Sequence, residues 1–278
     1  MDYLQRAKDF KTKKRLGQNF LIDSNVIDKI IEIADLKDSD TIVEIGPGAG
    51  FVTENIAPAV KKLYAIELDT DAADVVNQLP YDNIEVLLQD ILKTDLSDFL
   101  TEKTKIIANI PYYITSPIIA HLLGEVDDIT HVNRNLISEI YLMVQFEVAL
   151  RIIATPDSPN KQYGLLSILT NFWSTPEIIQ KVPAKAFYPS PKVDSALIKL
   201  TVNTTPKVTL EHPQLFRKVV KGAFAQRRKT FVNSISQSGF EKSKVAETLS
   251  KMGLSLEIRG EKLSIEQFNE FTNIYAKL

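Results

Sequence analysis

The chain has 278 residues, 44% hydrophobic and 24% charged, close to the averages of a globular protein with a core to bury. It has no Cys and three scattered His (His121, His131, His212), which removes disulfides, thiolate metal sites and cysteine nucleophiles and leaves no metal-ligand spacing. The first residues hold no apolar signal region and no run is long and uncharged enough to span a membrane, so a soluble cytoplasmic chain with neither a membrane nor a metal partner is expected.

Net charge is −2, but it is unevenly spread. Lys8, Lys11, Lys13, Lys14 and Arg15 crowd the first segment. Lys181, Lys185, Lys192 and Lys199 follow, then Arg217, Lys218, Lys221, Arg227, Arg228 and Lys229, while acidic residues concentrate between Asp35 and Glu102. This asymmetry predicts a basic face of the kind that meets a phosphate backbone, on an acidic body. A merely solvated charged face is the alternative.

Residues 1–22 form a basic N-terminal segment whose Lys-rich part is polar and free to move until something binds it. Gln18, Asn19 and Phe20 precede a helical pattern, Val26-Ile27 to Ile33-Ala34, with Asp23 or Ser24 as N-cap. Thr41-Ile42-Val43-Glu44-Ile45 then runs into Gly46-Pro47-Gly48-Ala49-Gly50 and an apolar helix, the first βα unit of a doubly wound sheet. From Gly46 the third glycine of a dinucleotide fingerprint would fall on Phe51, which disfavours a nicotinamide cofactor. A second strand ends at Glu67, about 20 positions on, where a carboxylate reaches ribose hydroxyls. A third ends at Asp90. The fourth, Lys105-Ile106-Ile107-Ala108, ends in Asn109-Ile110-Pro111-Tyr112-Tyr113. Each terminal residue alone could cap a helix, but four strands ending in register predict a nucleoside-bearing cofactor.

Further helix and strand patterns follow at 116–123, 139–144, 147–153 and 164–173. An antiparallel pair, 177–182 and 195–200, is joined by the Pro-, aromatic- and Lys-rich stretch 182–192, which can present rings to a base or serve as a stiff connector. Thr201 to Pro213 reads as a linker, and only helical signals come after it: 215–224, 227–235, 242–252 and 265–275.

A cofactor with a ribose and an adenine-like amine, no phosphate signature and no metal points to S-adenosylmethionine. Gly46 and Gly48 permit close backbone approach, Glu67 accepts from the ribose and Asp90 from the adenine amine. Methyl transfer is a direct displacement, so the chain's main task is aiming the nucleophile. An exocyclic adenine amine is a poor nucleophile because its lone pair is delocalised. Accepting its hydrogens at the Asn109 side-chain oxygen and the Ile110 carbonyl, on a turn stiffened by Pro111, localises that pair. Tyr112 stacks on the unstacked base. The lack of Cys excludes the covalent route of pyrimidine carbon-5 methylation.

The sequence resembles the small-subunit ribosomal RNA adenine dimethyltransferases (the KsgA/RsmA group) almost end to end. The resemblance is carried by Gly17-Gln18-Asn19-Phe20-Leu21, Glu44-Ile45-Gly46-Pro47-Gly48, Asn109-Ile110-Pro111-Tyr112-Tyr113, the block from Phe187 to Ser195, and Ala223-Phe224-Ala225-Gln226-Arg227-Arg228-Lys229-Thr230. It implies an α/β, Rossmann-like class I methyltransferase domain over 23–203 and a small all-α domain over 210–278. It implies dimethylation of two adjacent adenines in the 3′-terminal hairpin of 16S rRNA, within the small ribosomal subunit or its precursor; a monomer is expected. Cofactor contacts are implied at Asn19, Leu21, Gly46, Glu67, Asp90 and Asn109. Phe187 with Arg227, Arg228 and Lys229 is assigned to substrate RNA. The chain departs from the family pattern at Phe146, where Lys is common, and over 125–140. Two alternatives are a 23S rRNA methyltransferase of the erythromycin-resistance type, which the Gln226–Thr230 block disfavours, and a non-catalytic RNA-binding assembly factor.

Overall fold

A computed structural model describes residues 2–10, 13, 17–159 and 162–278. Contacts divide the chain into two units. The first holds Met1–Leu122, Val132–Ala149 and Thr175–Val202; the second holds Leu123–His131, Leu150–Ser174 and Asn203–Leu278.

In chain order the first unit has α1 (Tyr3–Asp9), β1 (Phe20–Leu21), α2 (Ser24–Ala34), β2 (Thr41–Ile45), α3 (Thr53–Ile56), β3 (Lys62–Glu67), α4 (Thr70–Asn77), β4 (Ile84–Leu88), β5 (Thr104–Ala108), α5 (Thr115–Leu123), α6 (Val132–Leu136) and β6 (Ile137–Gln145). Helices α7 (Phe146–Ile152) and α8 (Leu165–Trp173) precede β7 (Ser174–Val182), β8 (Phe187–Tyr188) and β9 (Ser195–Val202). Among the described residues seven strands make one sheet, in the order β4-β3-β2-β5-β6-β9-β7. β2 pairs in parallel with β3 and with β5, β3 with β4, and β5 with β6, while β9 runs antiparallel to β6. Ile42, Val43, Ile45, Ile106, Ile107 and Ala108 are all buried, as central parallel strands covered on both faces require. The chain moves outward from β2 through β3 to β4, then restarts on the other side at β5. The β2/β5 seam is thus the switch point, and ligands of such sheets bind beyond the carboxyl ends of the strands there.

Two expectations for this unit change. Helix α1 lies in the segment read only as basic: Asp2 caps it and Tyr3 and Ala7 are buried on one face. The stretch 182–192 is neither a free loop nor a simple connector, because β8 inside it pairs with β1, Phe187 opposite Leu21 and Tyr188 opposite Phe20.

The second unit contains α8, α9 (Pro213–Ala225), α10 (Phe231–Ser236), α11 (Lys242–Lys251) and α12 (Ile265–Ala276). Pro213 starts α9, Thr230 caps α10, and Ser264 with Gln267 forms a capping box on α12. Its core is aromatic, with Phe172, Trp173, Phe216, Phe231, Phe268 and Phe271 fully buried. The expected boundary near 203 leaves 150–174 in the first domain, yet these residues group with the second unit. Phe172 lies 5.7 Å from Phe216 and Tyr163 lies 6.0 Å from Phe224, ring centre to ring centre, and the Lys207 amide donates to the Phe172 carbonyl at 3.0 Å. Apolar partners far apart in sequence outweigh chain continuity here.

Candidate active site

The glycine turn after β2 is built on left-handed backbone. Gly46 has φ +69° and Gly48 φ +55°, where a Cβ is disfavoured. The Gly46 amide donates to the Ile66 carbonyl (2.9 Å) and the Gly48 amide to Glu67 Oε2 (3.1 Å). Glu67 Oε1 accepts from the Leu68 and Asp69 amides at 2.8 and 2.9 Å. Burial pushes the Glu67 carboxyl up, and these three amides oppose it. A carboxylate offers about four lone-pair positions, so the backbone fixes its orientation and leaves one for a ligand. A Cβ on Gly48 would come 2.8 Å from the Phe20 ring. Gly48→Ala is therefore expected to lose roughly 1–3 kcal/mol of stability and to weaken cofactor binding, checked by thermal unfolding and by titration calorimetry. Unchanged affinity would show that the turn tolerates the methyl group.

Asp90 follows β4, and its Oδ1 accepts from the Leu92 amide at 3.0 Å. It does cap a short helical turn, with its second oxygen left over. A cleft of about 1020 Å³, counting its open mouth, joins these strand ends. It is lined by Asn19, Leu21, Gly46, Gly48, Glu67 and Asp90, and also by Asn109, Ile110, Pro111 and Tyr112. The structure thus brings together every residue assigned from sequence to cofactor and catalysis.

Glu44, inside β2, also lines the cleft and carries no role in the sequence reading beyond its place in the motif. It is buried, and its Oε2 has no hydrogen-bond partner among the described residues. Burial pushes its carboxyl up to about 8; the Thr53 hydroxyl beside it opposes the rise, and the nearby Glu67 adds to it. Three carboxyl groups (Glu44, Glu67, Asp90) and no Lys, Arg or His line the described cleft. Such a donor set repels phosphates and suits a cationic nucleoside with free hydroxyls, so S-adenosylmethionine fits it. The signal for Glu44 was present in the sequence: an acidic residue where a buried strand calls for an apolar one.

The segment 17–21 is strapped over this cleft. Gln18 Oε1 accepts from the Lys13 amide (2.8 Å) and its Nε2 donates to Asp69 Oδ2 (2.9 Å). Lys13 Nζ pairs with Asp69 and, at 2.8 Å, with Asp71. Burial works to raise the Asp69 carboxyl, but Lys13 and Gln18 outweigh it and hold it below the usual carboxylate range. Phe20 packs edge-on to Phe10 and Phe51.

At the end of β5, Asn109 Nδ2 donates to the Asn19 carbonyl at 3.2 Å, so its side-chain oxygen is the atom left to accept. A Cβ on Gly46 would lie 3.8 Å from the Asn109 carbonyl oxygen, which places the two turns in contact across the β2/β5 seam. Tyr112 Oη and Ser195 Oγ are hydrogen-bonded at 2.6 Å, and burial pushes the tyrosine hydroxyl up. Tyr113 is 66% exposed on the rim.

The substrate residues fare differently. Phe187 does not line the cleft; it is 2% exposed and backs Leu21 across the β1/β8 pair, so it cannot present its ring to a base. Arg227, Arg228 and Lys229 are exposed, but they occupy the turn between α9 and α10 and not the start of a helix, because Thr230 is the cap. The Arg227 guanidinium donates to the Tyr163 carbonyl at 3.0 Å. Several other cations of the expected basic face are committed to carboxylates: Lys13 as above, Lys181 with Asp194, Lys199 with Glu139, and Arg217 with Glu125 and Asp127. Lys11, Lys14 and Arg15 lie outside the described residues. The Lys181 ammonium stands 4.9 Å from the ring centre of Phe146.

The profile of the ribosomal RNA adenine dimethylase family matches residues 9–277. The chain is 40% identical over 278 residues to the ribosomal RNA small subunit methyltransferase A of Alkaliphilus oremlandii, covering 97% of this chain and 93% of that protein. It is 41% identical to the protein of the same description from Clostridioides difficile, covering 96% and 91%. Among solved structures it is similar to a dimethyladenosine transferase from Plasmodium falciparum (TM-score 0.73, 26% identity, 92% of this chain and 96% of that one). In fold alone it is also similar to the 23S rRNA methyltransferase ErmE (TM-score 0.67, 23% identity, 93% and 100%). With the profile spanning nearly the whole sequence, the chain belongs to the ribosomal RNA adenine dimethylase family.

Proposed function

We propose that the chain dimethylates N6 of two adjacent adenines in the 3′-terminal hairpin of small-subunit ribosomal RNA, using S-adenosylmethionine. The observation that carries this reading is the junction of the Asn109–Tyr112 turn with the carboxylate-lined cleft at the β2/β5 seam. When bound, S-adenosylmethionine supplies an activated methyl group. Glu67 would accept from a ribose hydroxyl, Asp90 from the adenine amine, and Glu44 would offer its unpartnered oxygen to a cation. Gly46 and Gly48 keep the floor open, and Asn19 and Leu21 close the roof. Asn109 Oδ1 and the Ile110 carbonyl receive the hydrogens of the target amine, Pro111 stiffens the turn, and the Tyr112 ring stacks on the base.

Incubating unmethylated small subunits with labelled cofactor and identifying the modified base by mass tests this directly. N6,N6-dimethyladenosine in small-subunit rRNA is expected. With protein-free 23S rRNA incubated in parallel, label in 23S rRNA and none in the small subunit would overturn the assignment in favour of the erythromycin-resistance type.

The second unit is proposed to contribute RNA contacts through the exposed turn holding Arg228 and Lys229. Replacing both with Glu should weaken subunit binding and lower the slope of log affinity against log salt by roughly 2, about one per lost phosphate contact. An unchanged slope would show that the turn is merely solvated.

A further inference from the structure

The block from Phe187 to Ser195 is only partly explained by its pairing with β1 of the strap. Phe187 backs Leu21, but Ser195, its last residue, neither lines the cleft nor meets solvent. It opens β9 opposite Gln145 of β6. The neighbouring Asp194 accepts the Phe146 amide at its carbonyl (3.0 Å) and the Ala184 amide at Oδ1 (3.1 Å), and pairs with Lys181 at 2.9 Å. Tyr112 lies on the turn after β5, yet its hydroxyl bonds, across the position of β6, to this fixed point on β9. A tyrosine on a partly exposed rim has two side-chain torsions to settle. A bond from its far end to a buried, immobile hydroxyl settles both.

We propose that Ser195 is a positioning residue, whose hydrogen bond to the Tyr112 hydroxyl holds the tyrosine ring at the angle against which the target base stacks. The inference rests on the adenine methylation proposed above. It assigns Ser195 no contact with substrate; the residue acts through Tyr112. Orientation of the base governs turnover of bound RNA more than its binding, since the ring face remains available for stacking in a loosened tyrosine.

The test is a double-mutant cycle on the full chain with unmethylated small subunits. Ser195→Ala and Tyr112→Phe should each lower kcat roughly tenfold with KM for subunits within about twofold, and the double variant should fall no further than either single. Parental kcat in either single, an effect confined to KM, or additive losses would overturn the proposal, because a bond that only stabilises the fold moves the unfolding temperature and not the kcat–KM split. Tyr112→Phe keeps the ring on a partly exposed turn, and it decides the matter alone if Ser195→Ala fails to fold. The parent chain in the same assay reports separately on the activity: absence of N6,N6-dimethyladenosine there refutes the function, whereas its presence with undiminished kcat in the variants refutes only the role of Ser195.

Discussion

Asn109→Ala is expected to lower methyl transfer by roughly 10²–10³-fold, on the scale of removing one preorganised hydrogen-bonding group from an active site, while small-subunit binding persists. Two separable losses contribute. The larger is the acceptor for the target amine: without it, one amine hydrogen goes unbonded and the lone pair stays delocalised in the ring. The smaller is the donor. Asn109 Nδ2 holds the Asn19 carbonyl at 3.2 Å, and Asn19 belongs to the roof of the cleft, so cofactor affinity should weaken a few-fold as that bond is lost. Asn109→Asp divides the two effects. It keeps an acceptor for the amine but sets a carboxylate against the Asn19 carbonyl, so turnover should lie between those of the parent and the Ala variant while cofactor affinity falls. Single-turnover transfer at saturating cofactor, with subunit binding measured alongside, checks both. Near-parental turnover in Asn109→Ala would remove the acceptor role from this turn and leave the junction at the switch point without a chemical meaning.

How far the site was legible depended on whether a residue's role is written in local pattern. Gly46, Gly48, Glu67, Asp90 and Asn109 are strand-terminal residues, and a parallel sheet delivers successive strand ends to one edge, so their meeting follows from strand patterns alone. Glu44 was visible as a misplaced charge in an apolar strand. Ser195 carried no such signal, because its partner Tyr112 lies 83 residues away and no periodicity connects the β5 turn to β9. Phe187 misled for the opposite reason. An aromatic in a Pro- and Lys-rich stretch reads like an exposed ring, and only the two-residue β1/β8 pairing turns it inward. Among the cations, sequence distribution cannot distinguish Arg217, clamped by Glu125 and Asp127, from Arg228 on an exposed turn. The location of α8 likewise rests on ring contacts with α9, which no local propensity encodes.

The second large effect concerns pH and Glu44. In the unfolded chain this carboxyl titrates near its ordinary 4.5; burial within the fold carries it to about 8. Between those values the folded chain holds a proton that the unfolded chain has released, so stability falls as pH rises through the window and levels off above it. A shift of that size is worth roughly 5 kcal/mol at most. Glu44→Gln fills the same space without titrating. The variant's unfolding temperature should therefore match or trail the parent's at pH 5, overtake it as pH climbs, and keep a constant lead above pH 8. Cofactor binding should show the converse. A cation beside Glu44 favours the carboxylate, so binding at neutral pH must expel the proton, and parental affinity should tighten with pH up to about 8. The Gln variant should bind about tenfold or more weakly, having lost a charge-assisted bond, with no pH dependence from this source. Thermal unfolding from pH 5 to 9, and calorimetry in two buffers of different ionisation heat to count the released proton, measure the two arms. A parent–variant difference that stays flat across pH, with no proton released on binding, would mean that Glu44 is already ionised before the cofactor binds, and the orphaned oxygen would then need a partner other than the cofactor.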